Sequence, residues 1–132
     1  MNPAALVCTA VLGLLVFGGG VAVSVLRFKT GVISGPAREP DALLNRVVRA
    51  HANTCEYAGV LAALFLWHGT QPGPAWVMGL VVAATVCRVL LFAGLVAWPS
   101  MGRPNPIRFV GALGTYLAGL GLCGALVAGL LS

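Results

Sequence analysis

Long apolar runs separated by three short segments rich in Pro, Gly and charge divide the chain. Their lengths predict helices over about Pro3 to Leu26, Ala42 to Trp67, Ala75 to Trp98 and Ile107 to Leu131, each long enough to cross a bilayer. Between them, Arg27 to Asp41 carries Gly31, Gly35, Pro36 and Pro40, His68 to Pro74 carries no formal charge, and Pro99 to Pro106 breaks the helix a third time. Asp41 is the expected N-cap of helix two. Small residues recur within the first and last runs: Gly13, Gly18, Gly19 and Gly20 in one, and Gly111, Thr115, Gly119 with Gly121, Ala125, Gly129 in the other. In lipid such positions let neighbouring helices approach closely.

Helix two departs from this plain pattern. At about 100° per residue, Arg46, Arg49, Asn53, Glu56 and Tyr57 fall on one face, with His51 roughly opposite. Beyond them Ala58 to Trp67 is uncharged, so a polar stripe occupies one half of a membrane-length segment. Charges at that depth need partners or water.

Composition fixes the solvent. Of 132 residues 59% are hydrophobic and 8% charged, and the mean hydropathy is +0.97; a soluble surface needs far more charge. The fold class is therefore an all-α integral membrane protein, read as one membrane domain over residues 1–132. The run Ala4 to Leu26 has nothing basic before it and is too long for a signal core, so it is expected to stay as a span. The net charge of +5 does not indicate nucleic acid, because the basic residues flank apolar segments instead of forming a patch interleaved with aromatics. Arg27, Lys29, Arg38, Arg46 and Arg49 surround the first connection and Arg103 and Arg108 the third. The excess of Lys and Arg places those loops in the cytoplasm and both termini on the opposite side, giving an up-down four-helix bundle. Cys8, Cys55, Cys87 and Cys123 fall in different segments with no metal-ligand spacing and are expected as reduced, packed thiols; no metal site is expected.

At a rise of about 1.5 Å per residue, Glu56 and Arg88 both lie roughly 15 Å from the same end. A carboxylate and a guanidinium at one depth are most cheaply held together, so the spacing predicts a Glu56–Arg88 pair, serving either a site or only helix register. Arg27, Arg46 and Arg108, nearer the surface, have an alternative as snorkelling residues against lipid headgroups. Arg49 and Asn53 lie deeper and call for an anionic, hydrogen-bonding guest or for each other. Tyr57 and Tyr116 offer hydroxyls or packing rings.

The stretch Arg46-Val-Val-Arg-Ala-His-Ala-Asn-Thr-Cys-Glu-Tyr57 resembles the signature of the MAPEG family, the membrane-associated proteins in eicosanoid and glutathione metabolism. The lone Arg88 on helix three and Pro106-Ile-Arg108 opening helix four extend the resemblance over nearly the whole chain, to a bacterial-type member similar to microsomal glutathione transferases. The resemblance implies a homotrimer that binds glutathione as co-substrate between subunits near the cytoplasmic side. Carried over residue by residue, it implies Arg49, His51, Asn53 and Glu56 as glutathione contacts, with Arg27, Arg46 and Arg88 as further arginines of that site. His51, turned off the stripe, would then face a neighbouring subunit. Arg108 resembles the arginine placed beside the thiol sulfur, where a fixed cation favours the thiolate. Phe109 and Leu95 stand where the prostaglandin and leukotriene synthases carry serine and tyrosine, so eicosanoid specificity is not implied.

The function implied is a glutathione-dependent membrane transferase or peroxidase acting on lipophilic electrophiles. The alternative is a non-catalytic thiol- or lipid-binding scaffold of the same fold. A small multidrug exporter is disfavoured, because such a protein needs an isolated acid accessible to cations and Glu56 is surrounded by arginines. Expected partners are copies of the chain, membrane lipids and a lipophilic small molecule.

Overall fold

A computed structural model describes residues 1–130 of the chain. Four helices follow one another: α1 Pro3–Thr30, α2 Leu43–Thr70, α3 Ala75–Ala97 and α4 Pro106–Leu130. The expected end of the last helix at Leu131 lies outside the described residues. α1, α3 and α4 are long and apolar enough to cross a membrane. α2 matches α1 in length but is less apolar, because its first half carries the stripe.

The helix ends follow local chemistry. α1 continues a turn past Leu26, since Arg27 and Lys29 suit the negative end of a helix, and it stops where Gly31 takes φ 70. α2 runs on through His68 and Gly69. A Cβ on Gly69 would stand 2.6 Å from that of Ala5, so the glycine lets the start of α1 pack there, fastened by Asn2 N–H donating to the Gly69 carbonyl at 2.7 Å. α4 opens on Pro106, whose fixed φ and missing N–H suit a first helical position. Before it, Asn105 caps the Arg108 N–H at 3.0 Å and donates its amide to the Gly94 carbonyl of α3 at 2.8 Å.

α2 and α3 form the centre: α1 packs on both, α4 packs chiefly on α3 and lightly on α2, and among the described residues α1 and α4 do not meet. Leu12, Leu61, Phe65, Val81 and Leu122 fill the seam. Neighbours run antiparallel, so the first and third connections meet at one charged end and the second connection lies at the other. Asp41 is not the N-cap of α2. Ala42 holds that position without a side-chain bond, while the Asp41 carboxylate accepts the Met101 N–H at 2.8 Å and ties loop one to loop three. Loop one is organised instead by Asn45, whose side chain accepts from Ala37 N–H and donates to the Ala37 and Glu39 carbonyls.

That tie is a pH-sensitive one. Hydrogen bonds from the Met101 amide and the Ser100 hydroxyl, and then the nearby charges of Arg46 and Arg103, outweigh desolvation and hold the fully exposed Asp41 carboxyl below its ordinary pKa. A lowered folded-state pKa means the stabilisation is complete above the ordinary carboxylate range and is lost as pH falls through the lowered value. Hydrogen exchange at the Met101 amide should therefore speed up below about pH 4, beyond its intrinsic pH dependence. In Asp41→Asn, which still accepts the bond but does not titrate, that extra change should vanish; the same acid response in both proteins would contradict the assignment.

Candidate functional site

The period of α2 brings Asn53, Glu56 and Tyr57 together, and α3 supplies Arg88. Arg88 is 1% exposed. Its Nη2 donates to Asn53 Oδ1 at 2.7 Å and to the Asn53 carbonyl at 3.2 Å. The guanidinium carbon stands 4.9 Å from the centre of the Tyr57 ring, a cation–π contact, and Tyr57 in turn packs on Tyr116 of α4 with centroids 5.8 Å apart. Nε and Nη1 of Arg88 are buried with no hydrogen-bond partner among the described residues.

Asn53, not Glu56, is thus the direct partner of Arg88, and the expected pair is corrected. Depth along the axis was matched, but three residues turn Glu56 about 60° around the helix from Asn53, onto the open side of α2. There Glu56 is exposed, and Asn53 Nδ2 reaches its Oε2 at a long 3.5 Å. Arg49 is exposed on the same side. This open strip of α2 continues through Ala52, Gly59, Val60 and Ala63, all of them exposed.

The other arginines of the stripe's end are bound to backbone. Arg46 Nη1 donates at 2.7 Å to both the Val96 and Trp98 carbonyls, satisfying the free C-terminal acceptors of α3. Arg27 Nη1 donates to the Val32 and Gly35 carbonyls at 3.1 Å. Arg108 Nη1 donates to the Met101 carbonyl at 3.1 Å, so Met101 is held by Asp41 at its N–H and by Arg108 at its oxygen. His51 is half-buried. It lies against α1 of its own chain, where a Cβ on Gly19 would stand 3.0 Å from Nδ1, and its ring approaches Cys55 Sγ at 3.6 Å. Gly19 and Gly20 make room for that ring, whereas a Cβ on Gly13 or Gly18 would meet nothing within 4 Å.

An apolar groove of about 340 Å³ runs between α2 and α4 from the Tyr57–Tyr116 pair, past Leu61, Leu64 and Gly119 to Cys123. A larger cavity of about 740 Å³ lies at the uncharged end among Trp67, His68, Trp76 and Leu126. It contains none of the stripe, so the smaller groove is the one joined to the candidate chemistry. No cluster of three metal-ligating side chains occurs among the described residues.

Sequence reasoning passed over Asn45 and Asn105. Asn105-Pro106 is a turn-and-helix-start signal legible in the chain. The role of Asn45 depends on how loop one folds back, which no local pattern shows. Compared with known proteins, residues 5–128 match the model of the MAPEG family. No curated protein and no solved structure matches the chain.

Proposed function

The chain belongs to the MAPEG family, and from that premise we propose that it is a glutathione-dependent membrane transferase or peroxidase acting on lipophilic electrophiles. The observation that carries this reading is the polar strip of α2, Arg49, Asn53 and Glu56, opening beside an apolar groove. The donor set fits glutathione: the exposed Arg49 guanidinium for a carboxylate, the exposed Glu56 carboxylate for the ammonium group and the Asn53 amide for the peptide. The groove between α2 and α4 supplies an apolar channel for the second substrate, entered from the bilayer. Arg108, at the start of α4, supplies the cation that favours the thiolate. With loops one and three taken as cytoplasmic, all of this lies toward the cytoplasmic leaflet.

The same strip supports self-association through α2, and the family resemblance supplies the number three. Arg49 and Glu56 at membrane depth cannot face acyl chains without heavy cost, and Ala52 between them, with Gly59 and Ala63 beyond, accepts a closely packed neighbour. Purified protein in mild detergent should have the mass of a trimer; a stable monomer that still binds glutathione would contradict an intersubunit site. The catalytic reading is tested by glutathione conjugation to a chlorodinitrobenzene in the same preparation. Conjugation faster than the uncatalysed reaction is expected, and none would reject it.

One observation favours the scaffold reading: Arg108 is engaged by the Met101 carbonyl. If that strap is its whole role, the protein binds glutathione without turnover.

A further inference from the structure

We propose that Arg88 touches no substrate and is a positioning residue, which fixes the side-chain amide of Asn53 as a one-way donor toward the open strip of α2. The inference rests on the glutathione reading above and deepens it.

Arg88 is nearly fully buried and donates to the Asn53 side chain at 2.7 Å. A guanidinium has donors only. The oxygen of the Asn53 amide must therefore face it, and the usual uncertainty over which way an asparagine points disappears. The amide nitrogen is left facing away, toward Glu56 Oε2 at 3.5 Å and the exposed side of the helix. Tyr57 closes the other side of the guanidinium at 4.9 Å, so Arg88 is clamped by residues one helical turn apart on α2. Polarisation by the cation also strengthens the amide N–H as a donor.

The strip then has a fixed polarity. Asn53 offers only donors and Glu56 only acceptors, side by side. The ligand that fits pairs an acceptor with an adjacent donor, such as the carbonyl or carboxylate and the nitrogen of an amino-acid end.

Asn53→Asp tests this with little change of shape. One carboxylate oxygen keeps the bond to Arg88, while the outward donor becomes an acceptor beside Glu56. Glutathione affinity, read by calorimetry on the detergent-solubilised protein, should fall roughly tenfold or more, with no loss in thermal midpoint. Arg88→Gln, whose amide can donate or accept, frees Asn53 to turn over and should weaken affinity several-fold with a smaller effect on kcat. Arg88→Lys, which like arginine only donates, still holds the amide oxygen inward and should keep most of the affinity; where the glutamine variant does not fold, Asn53→Asp alone carries the test. Asn53→Asp binding glutathione within about twofold of the native protein would overturn the proposal.

A ligand-free arm separates the two claims. With Arg88 present, Asn53→Asp should hold or raise the thermal midpoint; in the Arg88→Gln background it should lower it. Equal shifts in both backgrounds overturn the positioning role. Native protein that binds no glutathione, yet shows the midpoint coupling, rejects the glutathione reading and upholds the Arg88–Asn53 lock.

Discussion

Arg108→Ala is expected to lower the reactive thiolate fraction of bound glutathione by roughly tenfold or more at neutral pH, with a smaller change in affinity. One fixed cation beside a thiol commonly lowers its pKa by about 1 to 3 units, or roughly 1.4 to 4 kcal/mol of differential stabilisation. The alanine variant loses that term, whereas the carboxylates and ammonium of the tripeptide keep Arg49, Asn53 and Glu56. The structure adds a second consequence, because Arg108 also holds the Met101 carbonyl and its removal loosens loop three. Arg108→Lys separates the two effects. Lysine keeps the charge but has a single ammonium in place of the fork, so it should retain part of the thiolate stabilisation. Turnover that is unchanged in Arg108→Ala would leave Arg108 as a strap for loop three alone.

Gly111→Ala is expected to be the most destabilising single methyl in the bundle core. A Cβ there would stand 2.6 Å from Leu91 N, 2.8 Å from the Cys87 carbonyl oxygen and 2.9 Å from Leu91 Cα, all of them backbone atoms of α3. Backbone cannot rotate away as a side chain can, so α4 must withdraw from α3 along a seam that also includes Gly114 against Cys87 Sγ and Gly94 against Ile107. Overpacking of this kind costs about 1 to 3 kcal/mol, with the upper part of that range expected where backbone is the obstacle. The seam matters to function, because the same α3–α4 contact places Arg88 and the start of α4. Thermal unfolding in detergent should show a clearly lower midpoint for Gly111→Ala. Gly79→Ala on α3, whose added methyl would meet nothing within 4 Å, should be neutral or slightly stabilising. Equal midpoints for the two variants would mean that α3 and α4 do not approach at Gly111.

The polar stripe was legible because its five members, Arg46, Arg49, Asn53, Glu56 and Tyr57, repeat at the helical period, and the four helices because three short segments interrupt long apolar runs. Arginine partners were not legible. Arg46 reaches the Val96 and Trp98 carbonyls across the bundle, a contact set by how α2 and α3 lie together, and a basic residue near a helix end reads equally well as a snorkelling one. Glu56 and Arg88 show the limit of reading depth from rise: matched levels do not fix rotation about the axis, and Asn53 lies on the side that faces α3. Asp41 shows a tertiary contact overriding a local preference. Its carboxylate had a good N-cap position in sequence, but loop three offers it the Met101 amide, the Ser100 hydroxyl and the charge of Arg103, with Arg46 of α2 nearby. His51 was placed correctly off the stripe, yet only the packing of Gly19 and Gly20 shows that α1 of the same chain receives it.

If this strip binds glutathione and Arg108 holds its sulfur as thiolate, the bound thiol absorbs as a thiolate at neutral pH. The ultraviolet difference spectrum of purified protein titrated with glutathione at neutral pH tests it most directly. Saturable thiolate absorbance is expected in the native protein, strongly reduced in Arg108→Ala at saturating glutathione. Saturable binding with no thiolate absorbance, or with equal absorbance in both proteins, would contradict that role for Arg108.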